Sequence, residues 1–273
     1  MRYKYLMVFL MSIMLFSCKR EHVEIFSTPP GPPAPTVLLK EITIPFLPSP
    51  YYHFEYDSTS KASFVSFASD FTRYDIFYED NKIKEMRNNI FVNKDRLQYV
   101  YDSEGRVSNI NYADSSGTIF TKIFLAYERA KLIKLEREGK LGAAFVLNKR
   151  MKFSYYVDGN LMEVITHRPM INGVSELNTL DRFEQYDNKL NVDGFQLLHS
   201  EFFDHFMYLP ELQLQKNNPQ KIIHIGDDVN YRIEYSYEYG VNNAPTRKIG
   251  KGTWLSGPKT GETFDSDYFY SYY

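Results

Sequence analysis

The sequence predicts an all-β chain, an antiparallel meander of repeated hairpins. Three observations predict it. Tyrosine and phenylalanine are abundant, 23 and 21 residues against one tryptophan and 14 glycines, and ring side chains favour the pleated, half-buried surface of a strand. Short segments alternate with period two, most clearly Arg73-Tyr74-Asp75-Ile76-Phe77-Tyr78, Leu97 to Tyr101 and Arg232 to Tyr239, which puts successive side chains on opposite faces of a sheet. An aromatic strand, a polar turn and a second strand also recur as a unit along the chain.

The N-terminus has a different pattern. Arg2 and Lys4 precede an apolar run from Tyr5 to Phe16 that only Ser12 interrupts. The run is too short to span a bilayer and has the form of a signal-peptide core. It leads into Leu15-Phe16-Ser17-Cys18, which resembles the lipobox of bacterial lipoproteins. That resemblance implies a leader over residues 1–17 and a diacylglyceryl group on the Cys18 thiol, the small Ser17 giving the peptidase access. Cys18 is the only cysteine, so its lipidation would leave no thiol for disulfides, thiolate metal sites or cysteine catalysis. Lys19 follows, where an acidic residue would resemble an inner-membrane retention signal, so transfer to the outer membrane is expected. Residues 18–36 then form a tether. Its Pro29-Pro30-Gly31-Pro32-Pro33-Ala34-Pro35 favours extended polyproline II and reaches roughly 55 Å at about 3.1 Å per residue.

Residues 37–273 are expected to form a single antiparallel β-hairpin domain. Its unit appears as Tyr78-Glu79-Asp80-Asn81-Lys82-Ile83, Tyr101-Asp102-Ser103-Glu104-Gly105-Arg106-Val107, Tyr127 to Leu132, Tyr156 to Leu161 and Tyr186 to Leu190, with tyrosines spaced by 23, 26, 29 and 30 residues. Asp, Asn and Gly tolerate the positive φ of a tight turn, and the flanking aromatic and aliphatic residues cover a buried face. In the Arg232–Tyr239 segment, Ile233, Tyr235, Tyr237 and Tyr239 point one way and Arg232, Glu234, Ser236 and Glu238 the other. One face of the sheet is therefore wet.

Tyr101-Asp102 with Gly105-Arg106-Val107 resembles the YD repeat of bacterial surface and toxin proteins. Over roughly residues 70–250 the chain also resembles uncharacterised Bacteroidetes lipoproteins with a DUF4595-like body, through Tyr186-Asp187-Asn188-Lys189 and Lys216-Asn217-Asn218-Pro219-Gln220-Lys221-Ile222. Val192-Asp193 departs from the proline-containing turn expected between them. The resemblance implies a fold and no activity. The expected architecture is a curved open sheet of about twelve to sixteen strands, partly rolled over its aromatic face. One short helix is expected near 194–208, where Leu198, Phe202, Phe206 and Leu209 recur at helical spacing between an Asp193 N-cap and a Pro210 stop. The alternative architecture is an outer-membrane barrel, whose aromatic closing strand Tyr268 to Tyr273 resembles; the lipobox and tether argue against it.

Thirty-two basic and 34 acidic residues leave no basic excess for a nucleic-acid partner. His199, Glu201, Asp204 and His205 are the densest set of potential metal ligands, but on a helix the two imidazoles would diverge, so no metal site is expected. Gly226-Asp227-Asp228 and Asp265-Ser266-Asp267 read as turns, lacking the graded spacing of a calcium loop. Gly250-Lys251-Gly252-Thr253 lacks the preceding glycine of a phosphate loop, and neither a Gly-x-Ser-x-Gly nor a His-Glu-x-x-His motif occurs. No catalytic residue and no cofactor is assigned, and the protein is expected not to be an enzyme. Asp57-Ser58-Thr59 resembles a short O-glycosylation motif of exported proteins.

The expected function is that of a non-catalytic, lipid-anchored cell-envelope protein that presents a sheet surface to a protein partner. A second reading is a glycan-binding lipoprotein that stacks sugars on Tyr235, Tyr237 and Tyr239. A third is a hydrolase with an unidentified carboxylate pair.

Overall fold

A computed structural model describes residues 37–89, 94–170, 176–199, 206–226 and 229–273. The leader, Cys18 and the proline-rich arm lie outside the described residues. In chain order the strands are β1 Leu39–Thr43, β2 Tyr52–Tyr56, β3 Ala62–Phe67, β4 Thr72–Glu79, β5 Lys82–Asn88, β6 Arg96–Tyr101, β7 Val107–Ala113, β8 Ile119–Glu128 and β9 Lys131–Leu141. They continue as β10 Ala144–Tyr155, β11 Leu161–Arg168, β12 Leu177–Tyr186, β13 Pro219–Gly226, β14 Asn230–Tyr239, β15 Pro245–Trp254, β16 Thr263–Asp265 and β17 Tyr268–Tyr272.

Neighbours in sequence pair antiparallel from β1 to β16, and the sheet then closes on itself. β17 pairs with β1 (Leu39 opposite Tyr272, Ile42 opposite Tyr270), and β1 in turn pairs with β2. Because β16 and β17 occupy successive stretches of one side of β15, the seventeen strands make a barrel of sixteen staves. This corrects the open, partly rolled sheet expected from sequence. An open meander would leave two unpaired edges, and closure removes both. The short strand β1 is the wedge that does it. The closing role suggested by the aromatic C-terminal residues is the role that Tyr268–Tyr272 plays.

The hairpin turns follow from their residues. Asp80 and Asn81 both have positive φ, 48° and 67°, as a two-residue type I′ turn requires. In the longer turns an aspartate accepts backbone N–H groups ahead of it: Asp102 Oδ1 takes Glu104 and Arg106, each at 2.9 Å, while Gly105 supplies the left-handed residue at φ 82°. Asp57 does the same for Thr59 and Lys61, so Asp57-Ser58-Thr59 is an exposed turn between β2 and β3.

At this end of the barrel the tyrosine of every second stave donates its hydroxyl to a carbonyl at the start of the preceding stave. Tyr56 reaches Leu39, Tyr78 reaches Ala62, Tyr101 reaches Ile83 and Tyr127 reaches Val107. Around the other half, Tyr155 reaches Leu132, Tyr186 reaches Leu161, Tyr237 reaches Pro219 and Tyr272 reaches Pro245, all eight bonds lying between 2.5 and 2.9 Å. The tyrosine repeat of the sequence is thus a structural collar. In the repeat copy at 155–161 the collar residue is Tyr155, not Tyr156, whose hydroxyl goes to Phe183 O at 3.0 Å.

On the β2–β9 side the inner face is mainly apolar and the outer face charged. Along β4, Tyr74 and Ile76 are buried while Arg73, Phe77 and Glu79 are exposed. The lumen is partly filled by the chain itself, between β12 and β13. Leu198, Phe206, Met207, Leu209 and Leu214 join the core, with Phe206 packed edge-on against Phe195 at 5.7 Å and Tyr52 at 5.8 Å. Among the described residues of the 194–208 stretch no α-helix forms, which corrects the helix expected there. Gly194–Leu198 is a 3-10 turn that ends at His199, and the Asp193 side chain makes no cap hydrogen bond. Phe202 and the rest of 200–205 lie outside the described residues. Leu198, Phe206 and Leu209 are apolar because the barrel wall surrounds them, which leaves the same sequence trace as a helix face.

Candidate functional site

Both feet of this plug are tied to the collar end. Asn160 Oδ1 accepts the backbone N–H of Lys216 and of Asn217, each at 3.0 Å. Asp187 Oδ1 accepts those of Lys189 at 2.9 Å and Asn218 at 3.1 Å, and the Asn218 amide donates to Leu190 O at 3.2 Å. The two segments around Asp187 and around Asn218 are therefore the two halves of one latch. Pro219 follows as the first residue of a strand, a position where a missing donor is tolerated.

Deeper in the lumen the plug is fixed by an ion pair. Lys248 Nζ lies 3.1 Å from Asp193 Oδ2, which also accepts the Tyr270 hydroxyl at 2.7 Å, while Asn191 donates to Oδ1 at 2.9 Å. Burial pushes the Asp193 carboxyl upward, but the Lys248 charge and these hydrogen bonds outweigh it and hold the group below the ordinary carboxylate value. Burial likewise pulls on Lys248, and Asp193 with the surrounding tyrosines raises it well above a normal lysine. The Lys248 ammonium also lies 4.5 Å from the Tyr235 ring centre and 4.7 Å from that of Tyr268.

The plug packs against the wall from β2 to β11 and leaves a cavity of about 850 Å³ beside β11–β15. Strand register builds its wall. Asp181, His224, Tyr231 and Trp254 stand directly opposite one another across β12, β13, β14 and β15. Asp181 Oδ1 meets His224 Nδ1 at 2.6 Å, the His224 ring stacks on Tyr231 at 4.6 Å, and Tyr231 meets Trp254 edge-on at 5.8 Å. Burial, with the Asp181 charge adding to it, raises the Tyr231 phenol above its ordinary value. Phe264 lies against Trp254 at 4.7 Å. It can do so because residue 252 is glycine: a Cβ there would come within 2.2 Å of the Phe264 ring. The Gly250-Lys251-Gly252 segment thus makes room for rings.

Of the residues singled out from sequence, Tyr235, Tyr237 and Tyr239 do share a face, and it is the inner one. Tyr235 is buried and pairs with Ser266 Oγ at 3.1 Å, Tyr237 belongs to the collar, and Tyr239 donates to Asp187. His199 sits in the plug, 2.9 Å from the Tyr52 hydroxyl. Glu201, Asp204, His205, Asp227 and Asp228 lie outside the described residues, as does Cys18. Asp265 pairs with Lys251 and Asp267 with Arg247 on the outer face, each at 3.0 Å. Among the described residues no group of three or more metal-ligating side chains converges. Sequence reasoning missed Asp181, His224, Tyr231 and Trp254. Extending the parity of β14 back to Tyr231, and noticing that the only tryptophan falls on a strand, would have found two of them.

Among solved structures, the chain is similar to a porin-like protein from Bacteroides uniformis, 12% identical with a TM-score of 0.56 over 87% of this chain and 95% of that one. It is similar also to a porin-like protein from Bacteroides vulgatus, 14% identical with a TM-score of 0.56 over 86% and 99%. No family model and no curated protein matches the sequence. At these identities the likeness is one of fold, and it extends over nearly the whole of both neighbours.

Proposed function

We propose that this is a non-catalytic, lipid-anchored envelope protein, tethered to the outer membrane through Cys18, whose barrel stands in water and acts by binding a molecule inside its lumen. The outer face carries this reading. A membrane barrel needs an apolar outer band about 25 Å tall, and each Lys or Arg facing lipid at the midplane costs about 2–4 kcal/mol. Here opposed charges pair across adjacent staves over successive strands: Glu136 with Arg150 at 2.6 Å, Glu163 with Arg182 at 2.8 Å, Glu184 with Lys221 at 2.8 Å. Such pairs stabilise little in water, but their cost in lipid weighs against a lipid-facing role for these staves. The plug and its latch argue against conduction as well.

A sheet surface that held a protein partner by hydrophobic contact would show an apolar patch on that outer face. Phe77 and Phe269 there lie under the guanidiniums of Arg87 and Arg247, and the row Ile165, Leu180, Ile225 is bounded by Lys152 and Asn230. Lumen binding is therefore the preferred reading. Residues 37–273 contain every stave of the closed ring, so a chain begun at Lys19 should fold without its leader and be monodisperse without detergent. A requirement for detergent would overturn the water-facing barrel. Mass spectrometry of the mature N-terminus should find an acylated Cys18, and an unmodified thiol would remove the anchor.

A further inference from the structure

We infer that the lumen cavity is a saccharide site, with Trp254 and Tyr231 as stacking surfaces and the Asp181–His224 pair as its hydrogen-bonding edge. The inference rests on the lumen-binding reading and names the class of ligand. The cavity, about 850 Å³, falls in the range that encloses small-molecule ligands. Its wall is mixed in a particular way. Tyr231, Trp254 and Phe264 form one aromatic cluster, in edge-on and tilted contact at 4.7–5.8 Å. On the neighbouring strands Asp181, His224, Thr179 and Thr166 face the same space, and at the plug side Gln196 carries a buried amide nitrogen without a hydrogen-bond partner among the described residues.

Three ligand classes can be weighed against this wall. A purely apolar ligand would seal the Asp181–His224 pair and both threonines away from water and leave their remaining donors and acceptors unmet, which costs more than the rings return. A small anion has no use for three rings and would meet the Asp181 carboxylate. The basic side chains facing the cavity include Lys248, His224 and Arg168; the first two already have carboxylate partners, Asp193 and Asp181, and Arg168 is engaged as well. A neutral sugar fits both halves of the wall. Its C–H faces lie against aromatic rings, and its hydroxyls donate to the Asp181 carboxylate and accept from the Gln196 amide. The rule that a site built to bond hydroxyls rejects ligands lacking them makes the pair a determinant of specificity.

Trp254 is the only tryptophan in the chain, so the site carries its own reporter. The chain from Lys19 onward is titrated with maltotriose, cellotriose and chitotriose, with dodecanoate and inorganic phosphate as comparisons, following tryptophan emission and heat by calorimetry. At least one trisaccharide should change the emission saturably. Asp181→Leu should weaken that binding at least tenfold, and Arg232→Gln, on the outer face, should leave it unchanged. Trp254→Phe should remove the optical signal and weaken the calorimetric one. Saturable binding of dodecanoate or phosphate with no response to any sugar would overturn the saccharide assignment and leave lumen binding standing. Silence with all five would overturn both. Sugar binding that survives in Asp181→Leu and in Trp254→Phe would place the sugar elsewhere and overturn the assignment.

Discussion

The two sides of the lumen are built from the same strands and turns and are used differently. On the β2–β9 side, Tyr52, Phe54, Phe67, Tyr74, Met86, Leu97, Ile110 and Tyr112 are almost fully buried, and the plug closes over them. On the β11–β15 side the inward positions include Thr166, Thr179, Asp181, His224, Tyr231 and Trp254 beside the buried Val164 and Phe183, and a cavity stands in front of them. A barrel this wide cannot fill its interior from the wall alone. One inserted segment fills half of it, and the unfilled half is where polar side chains can face inward without being stranded. Stability resides mainly on one side and recognition on the other.

Breaking the packed side should cost most. Phe206→Ala removes a ring surrounded by Tyr52, Phe54, Phe195 and Tyr208 and is expected to destabilise the fold by about 4 kcal/mol in denaturant unfolding. Phe264→Ala, on the cavity side, should cost only about 1 kcal/mol because its ring already borders open space. If the two losses were equal, the contrast between the sides would be wrong. Lys248→Met comes next, at about 3 kcal/mol, since it leaves the Asp193 carboxylate buried without its cation.

The collar offers a smaller test. Tyr101→Phe deletes one hydroxyl-to-carbonyl bond and should cost about 1 kcal/mol, with the barrel otherwise intact. Burial raises the Tyr101 and Tyr127 phenols, each up to about 12. A group raised in the folded state contributes stability that is complete below its ordinary value of about 10 and is lost as pH rises through the folded value. Stability should therefore decline between about pH 10 and 12, with phenolate absorbance from these residues appearing above pH 11. Full ionisation of all tyrosines near pH 10 with the barrel still folded would contradict the collar.

Much of the wall was legible in the sequence. Period-two alternation placed Tyr235 inside and Glu234 outside, and Asp80-Asn81 and Asp102 to Gly105 marked their turns by residue chemistry. Closure was not legible, because it depends on Leu39–Thr43 meeting Tyr268–Tyr272 at the far end of the chain, and each strand alone reads the same in an open sheet. The plug was misread because a segment enclosed on all sides needs apolar residues at intervals that imitate a helix face, and Asp193 reads as a cap until Lys248 is brought beside it. The site was not legible for a related reason. Asp181, His224, Tyr231 and Trp254 come from four strands, and only the register of β12 to β15 makes them a row.

The difference between the sides can be measured most directly by chemistry at single positions. A chain begun at Lys19 has no cysteine, so one thiol can be installed at a time. Thr179→Cys lies on the cavity wall and Ile110→Cys is fully buried on the packed side. In the native state a small water-soluble methanethiosulfonate reagent should modify the first within minutes and reach the second only when the barrel unfolds. Equal rates at the two positions would contradict a lumen filled on one side and open on the other.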